Sequence, residues 1–149
     1  MTAQPLPPAI QLSRRLPASR ERVFRAWTVP AEVMAWWGPG GFTAPSAEID
    51  LRVGGRYRFA MQPAEGKVFY ITGTYLEIAP PERLAFTWQW EGTGNDGPES
   101  AVTIEFHARG GETDLVLIHE KLWSQEAADN HRWGWNSSFE KLSALYSRT

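Results

Sequence analysis

From residue 46 to residue 120 apolar side chains recur at every second position, and on either side of that span they recur at helical spacing. SAEIDLRV (46–53) alternates, with Ile49, Leu51 and Val53 on one face and Glu48, Asp50 and Arg52 on the other. Gly54-Gly55 then predicts a hairpin turn. RYRFAMQ (56–62) sets Tyr57, Phe59 and Met61 against Arg56, Arg58 and Gln62. After the turn PAEGK a strand is predicted from Val68 to Ile78, bulged at Gly73. LAFTWQW (84–90) places Leu84, Phe86, Trp88 and Trp90 on one face. Val102, Ile104 and Phe106 alternate with Thr103, Glu105 and His107, and a last strand runs from about Thr113 to Glu120. PPER (80–83), EGTGNDGPE (91–99) and Gly110-Gly111 are read as the intervening turns. With AIQLSRRL (9–16) as a first strand ended by Pro17, the pattern predicts seven strands.

Two short helices are predicted between the first strand and the meander. Ser19 is a suitable N-cap for a helix over 20–28, with Glu21 in its first turn and Val23, Phe24 and Trp27 on one face. Pro30 suits the first turn of a second helix, which ends near Trp37 at Gly38-Pro39-Gly40-Gly41. A long helix is predicted over 124–148. Ala128, His131, Trp135, Phe139, Leu142 and Tyr146 fall along one line of it, and Trp133 points almost the opposite way. Gly134 costs that helix about 1 kcal/mol relative to Ala, which predicts a close backbone approach or a bend there.

Composition narrows the function classes. The chain has 149 residues, 42% hydrophobic and 21% charged, enough for one ordinary domain with a real core. A Pro-rich leader over 1–8 is expected to be loose, with a single domain over 9–149. Fifteen Lys and Arg against 17 Asp and Glu leave a net charge of −2 and no basic block, which argues against nucleic acid. The absence of Cys excludes disulfides, thiolate metal sites and a cysteine nucleophile. No apolar run approaches the ~20 residues of a membrane helix, and no secretion signal stands at the start, so a soluble cytoplasmic protein is expected. Aromatic residues make up 13%, including eight Trp spread along the chain, which suggests a shared interior or a pocket wall.

The segments LPASRERVFRAWTVPAEVMAWW (16–37), EIDLRVGGRYRF (48–59), GTYLEIAPPERLAFTW (73–88) and the H..GW pattern at 131–135 occur in an order that resembles the chaperone-ATPase-activator homologue family of the START-like, or SRPBCC, superfamily. The resemblance runs from about Ile10 to Tyr146. It implies an α+β helix-grip fold, in which a curved antiparallel sheet of six to seven strands wraps around the long C-terminal helix. It also implies an apolar cavity between sheet and helix. Across the superfamily such cavities bind lipids, hormones and polyketides, and some catalyse cyclisation. Two departures stand out. Val29 occupies a place where relatives often carry a capping Asp, and no extra N-terminal domain of the kind with which chaperone activators grip their chaperone is expected.

Candidate chemistry centres on that cavity. Trp36, Trp37 and Phe42 are read either as its rim or as a plug at one end of the core. Phe59, Met61, Phe86, Trp88, Trp90, Phe106 and Trp135 point inward with few charges among them, which predicts an apolar, aromatic or acyl ligand. His119 shares parity with Leu115 and Leu117, and His131 lies on the buried helix face. They could orient a ligand, serve as acid and base, or be satisfied core residues. No third ligand joins them, so no metal is expected, and no cofactor is implied. Asp50, Arg52, Arg56 and Arg58 read as a solvated ion-pair ladder or as a patch for an acidic partner. Three functions remain open: a non-catalytic binder of a small apolar molecule, a cyclase- or hydrolase-type enzyme using His119 and His131, and a chaperone-binding module acting through the outer sheet face. Ligand identity and oligomeric state are not specified by these features.

Overall fold

The computed structural model describes residues 8–91 and 98–146. In chain order the elements are β1 (Ile10–Leu16), α1 (Arg20–Thr28), α2 (Pro30–Trp36), β2 (Phe42–Thr43), β3 (Ala47–Ile49), β4 (Arg56–Pro63), β5 (Phe69–Ala79), β6 (Arg83–Glu91), β7 (Ser100–Arg109), β8 (Glu112–Glu120) and α3 (Gln125–Tyr146). The predicted leader up to residue 7, positions 92–97 of the loop over 91–99, and positions 147–148 of the predicted C-terminal helix lie outside the described residues.

Strands β3 to β8 pair in sequence as an antiparallel meander, β2 adds to β4, and β1 returns to pair with β8. The β1–β8 register sets Ile10 opposite His119, Leu12 opposite Leu117 and Leu16 opposite Thr113. The sheet curls as a half-barrel with α3 in its concave face, the expected helix-grip arrangement.

Local chemistry starts each helix. Ser19 Oγ accepts the Arg22 amide at 3.4 Å and Ser124 Oγ accepts the Ala127 amide at 3.0 Å. Val29, at the start of α2, offers no side-chain cap, and Pro30 pre-sets the first turn instead. The inward faces follow the predicted periodicities. Val23, Phe24 and Trp27 of α1 and Trp135, Phe139 and Leu142 of α3 are buried against Phe59, Phe86, Ile104, Phe106 and Leu117 of the sheet. Each such side chain contributes about 1.5–3 kcal/mol by leaving water.

Three strand expectations are corrected. The strand read over 46–53 ends at Ile49, and Leu51 and Val53 are exposed at 43% and 64%. The Gly55 amide bonds Arg52 O at 2.8 Å, so local turns bend the chain away before the alternation is finished. The two-residue strand β2 adds a pairing that no alternation signals. The bulge in β5 falls between Tyr75 and Glu77, not at Gly73. Gly73 instead makes room for a neighbour, because a Cβ there would overlap Thr87 O and lie 2.7 Å from the Tyr57 hydroxyl. The Tyr57 ring crosses this glycine so that its hydroxyl can donate to Thr87 O at 2.5 Å.

The outer-face charges are solvated. Arg52 pairs with Asp50 at 2.8 Å with side chains 73% and 53% exposed, whereas Arg58 reaches Glu91 and Arg56 donates to Thr72 and Thr74. Gly73→Ala is therefore expected to cost at least about 2 kcal/mol by overpacking, and Arg52→Gln less than about 1 kcal/mol. Urea midpoints of the two variants check this; similar small losses would contradict the Tyr57–Gly73 packing.

Candidate functional site

A cavity of about 310 Å³ lies where α3 crosses the open end of the sheet. Strand parity turns Met61 of β4 and Trp88 and Trp90 of β6 toward it, the chain after α2 contributes Trp37, Gly38 and Pro39, and α3 contributes Asn130, His131, Trp133, Gly134, Trp135 and Ser138. None of these side chains carries a full charge at neutral pH, apart from what His131 can take up.

The Gly-Pro-Gly-Gly segment forms one wall because its backbone turns in ways that only glycine adopts freely: φ is +94° at Gly38 and +88° at Gly41. It is strapped to α3. The Lys141 ammonium donates to the carbonyls of Gly38 and Phe42, both at 3.0 Å, and of Trp37 at 3.4 Å. Ser137 Oγ accepts the Gly40 amide at 2.7 Å. Burial lowers the Lys141 pKa, and its donors are directed at these carbonyls.

Indoles make up most of the wall. The Trp37, Trp88 and Trp135 rings pack on one another with centroids 5.0–5.8 Å apart, and Trp90 stands edge-on to Trp88 at 6.1 Å. Behind them the Trp27 ring contacts Trp36, Trp37, Phe86, Trp135 and Phe139. The indole N–H groups of Trp27, Trp37 and Trp88 are buried with no acceptor among the described residues.

The two histidines meet here, ring centroids 5.0 Å apart. Trp135 Nε1 donates to His119 Nδ1 at 3.1 Å, which leaves the proton of the neutral ring on Nε2. That nitrogen lies 2.8 Å from Ser100 Oγ, whose hydroxyl donates to Trp88 O at 3.3 Å. At His131 the roles are exchanged: Nε2 accepts from Trp90 Nε1 at 3.1 Å, and Nδ1 lies 2.6 Å from Ala127 O, to which it donates. Each ring thus has both nitrogens engaged, one of them by an indole. Burial, then the nearby His131, holds the His119 pKa at about 3, and burial also lowers that of His131. Among the described residues no three His, Asp or Glu side chains converge as a metal site would require.

Of the residues singled out from sequence, the structure brings Trp37, Met61, Trp88, Trp90, His131 and Trp135 together on the wall. His119 stands behind Trp88 and Trp135, fully buried. Phe59, Phe86 and Phe106 belong to the core beneath. Trp36 is not at a rim: it is 0% exposed, and its indole donates to Ala26 O at 2.9 Å. Phe42 packs half-buried against the core, off the cavity wall. The exposed edge of the cavity is formed by Trp133 and Asn130 instead.

The model of the family described as Activator of Hsp90 ATPase homolog 1-like protein matches residues 17–147. The chain belongs to that family. No curated protein matches it. A crystal structure of a protein from Chromobacterium violaceum is 32% identical, with a TM-score of 0.85 over 95% of this chain and 98% of that one. A crystal structure of an AHSA1 protein from Silicibacter pomeroyi is 30% identical, with a TM-score of 0.84 over 93% and 96% of the two chains. At 22% identity, a Nitrosomonas europaea structure shares the fold, with a TM-score of 0.78 over 92% of each chain. No helix among the described residues of this AHSA1 chain is long and apolar enough to cross a membrane.

Several wall residues of this AHSA1 domain carry no signal in the sequence pattern. Asn130 and Trp133 lie off the buried stripe of α3. At Gly134 the expected close backbone approach is absent, since a Cβ there would meet nothing within 4 Å. The missing side chain lets the cavity extend around the helix flank as far as Trp133. Lys141 is equally silent, because a strap to backbone carbonyls leaves no side-chain partner in the sequence.

The His119 geometry sets an acid limit on the fold. Its pKa is about 3 in the folded chain against an ordinary 6.5, so the unfolded chain takes up a proton in that window that the folded chain refuses. Stability should therefore fall as pH drops from about 6.5 toward 3. In His119→Asn the fall should be shallower, even though the variant is less stable at neutral pH. Denaturant midpoints at stepped pH check this; an unchanged slope would contradict a buried, neutral His119.

Proposed function

We propose that this AHSA1 domain is a binding protein for an uncharged, largely aromatic small molecule held between the sheet and α3. The observation that carries the reading is the cavity itself: about 310 Å³, walled by Trp37, Trp88, Trp90, Trp133 and Trp135 with Met61. Its size lies at the lower end of the usual range for small-molecule sites, and apolar walls with few polar groups are the common make-up of such sites. An anion would leave water for a wall on which no Lys or Arg side chain stands. A flat apolar molecule gains both burial and ring contacts of about 0.5–1.5 kcal/mol each.

Catalysis by the two histidines is the weaker reading. Acid–base work needs a ring nitrogen free to reach a substrate, and here both rings have both nitrogens occupied. The family description names a chaperone activator, and such a partner would meet the outer sheet face. Charged side chains on that face are paired with one another: Arg15 with Asp114, Arg83 with Glu77 and Glu105, Arg58 with Glu91.

Titration with N-phenyl-1-naphthylamine, an uncharged fluorescent probe, tests the reading. Saturable binding is expected, with quenching of Trp emission. Trp133→Ala should weaken it about fivefold, or ~1 kcal/mol, and leave the melting temperature unchanged, because Trp133 is 63% exposed. Trp37→Ala should lower both, since its ring also packs on Trp27, Trp36 and Phe59. A wild-type chain that does not bind the probe would overturn the proposal.

A further inference from the structure

At Gly134, which has no side chain, the cavity is lined by the backbone of α3 itself. At about 100° per residue, the α3 residues that line it follow one another around the helix in the order Trp135, His131, Ser138, Gly134, Asn130, Trp133. Gly134 stands in the middle of that arc. An added Cβ there would meet no heavy atom within 4 Å, so it would project into free space. The neighbours on the opposite wall, Trp88 and Trp90, are among the largest side chains available and are held in place, Trp88 by ring packing and Trp90 by its bond to His131. They cannot recede. The glycine also weakens a 22-residue helix at its centre, where alanine would fit without a clash. A helix interior that keeps glycine with open space above it is less stable than it could be, and what it gains is room.

We infer that Gly134 is the size-determining residue of the binding cavity: its missing side chain admits a ligand larger than a single naphthalene-sized ring system, and any side chain at 134 sets a smaller limit. The inference rests on the ligand reading above and adds to it the residue that selects by size. A bound ligand contacts the bare helix backbone there. Specificity then depends on volume at a single position, with the indole walls supplying affinity common to all aromatic ligands.

The test compares wild type, Gly134→Ala and Gly134→Leu with two uncharged probes, N-phenyl-1-naphthylamine and the smaller 1-naphthol, by calorimetry alongside thermal unfolding. Gly134→Ala should lose affinity for the larger probe by about tenfold or more while retaining 1-naphthol. Gly134→Leu should lose both. Both variants should melt at or above the wild-type temperature, because alanine and leucine favour the helix and the site has space for them. A merely structural glycine would give the reverse, lower melting with unchanged relative affinities. Equal binding of the larger probe by wild type and Gly134→Leu overturns this inference alone. A lower melting temperature in Gly134→Ala also overturns it, since the space would not be open. Failure of the wild type to bind either probe overturns the ligand reading and this inference with it.

Discussion

The indole of Trp135 joins the parts of this molecule that have to stay together. Its ring packs on Trp27 of α1, Trp37 after α2, Trp88 of β6 and Phe139 one turn along α3. Its N–H donates to His119 of β8. One side chain therefore fixes how α3 sits in the sheet and which tautomer His119 adopts, and through Ser100 it reaches the backbone of β6. A curved sheet leaves a wide concave face, and one helix with aliphatic side chains would not fill it. Large rings at the crossing meet that demand, at the cost of three buried indole N–H groups that find no acceptor among the described residues, each worth about 1–3 kcal/mol.

The same rings explain how an open volume persists beside a close-packed core. Interiors normally collapse around small voids, and the cost of a void depends on how far its walls can relax. Here the walls resist. Trp90 is tied to His131, Lys141 and Ser137 strap the glycine-rich loop to α3, and Trp37, Trp88 and Trp135 brace one another. With both histidines neutral and engaged, the chamber is apolar in its electrostatics as well as in its surface. Those properties underlie the proposal that the cavity holds a ligand.

Much of the fold is legible in the sequence because burial leaves a period there. β4, β6, β7, β8, α1 and α3 lie where alternation or helical spacing puts them, and the resemblance to the AHSA1 family supplies their arrangement. Leu51 and Val53 mislead because two hydrogen-bonded turns end β3 early, and turn chemistry is weaker in the sequence than alternation. Gly73 suggests a bulge because glycine often marks one, whereas here it accommodates the crossing Tyr57 ring. The site is legible only where it coincides with the core, at Trp37, Met61, Trp88, Trp90, His131 and Trp135. Asn130 and Trp133 lie on a helix flank that periodicity assigns to solvent, Gly134 suggests a close approach or a bend and not an opening, and only the placed backbone shows that a cavity turns that corner.

Entry of an aromatic ligand among these indoles is tested most directly by following the Trp side-chain N–H signals in a ¹⁵N–¹H spectrum during titration with 1-naphthol. The resonances of Trp37, Trp88, Trp90 and Trp135 are predicted to shift together and saturate, with Trp90 affected most clearly, because its N–H is bound to His131 at the cavity wall. Shifts confined to the exposed Trp123 and Trp133, or no saturation at all, would contradict it.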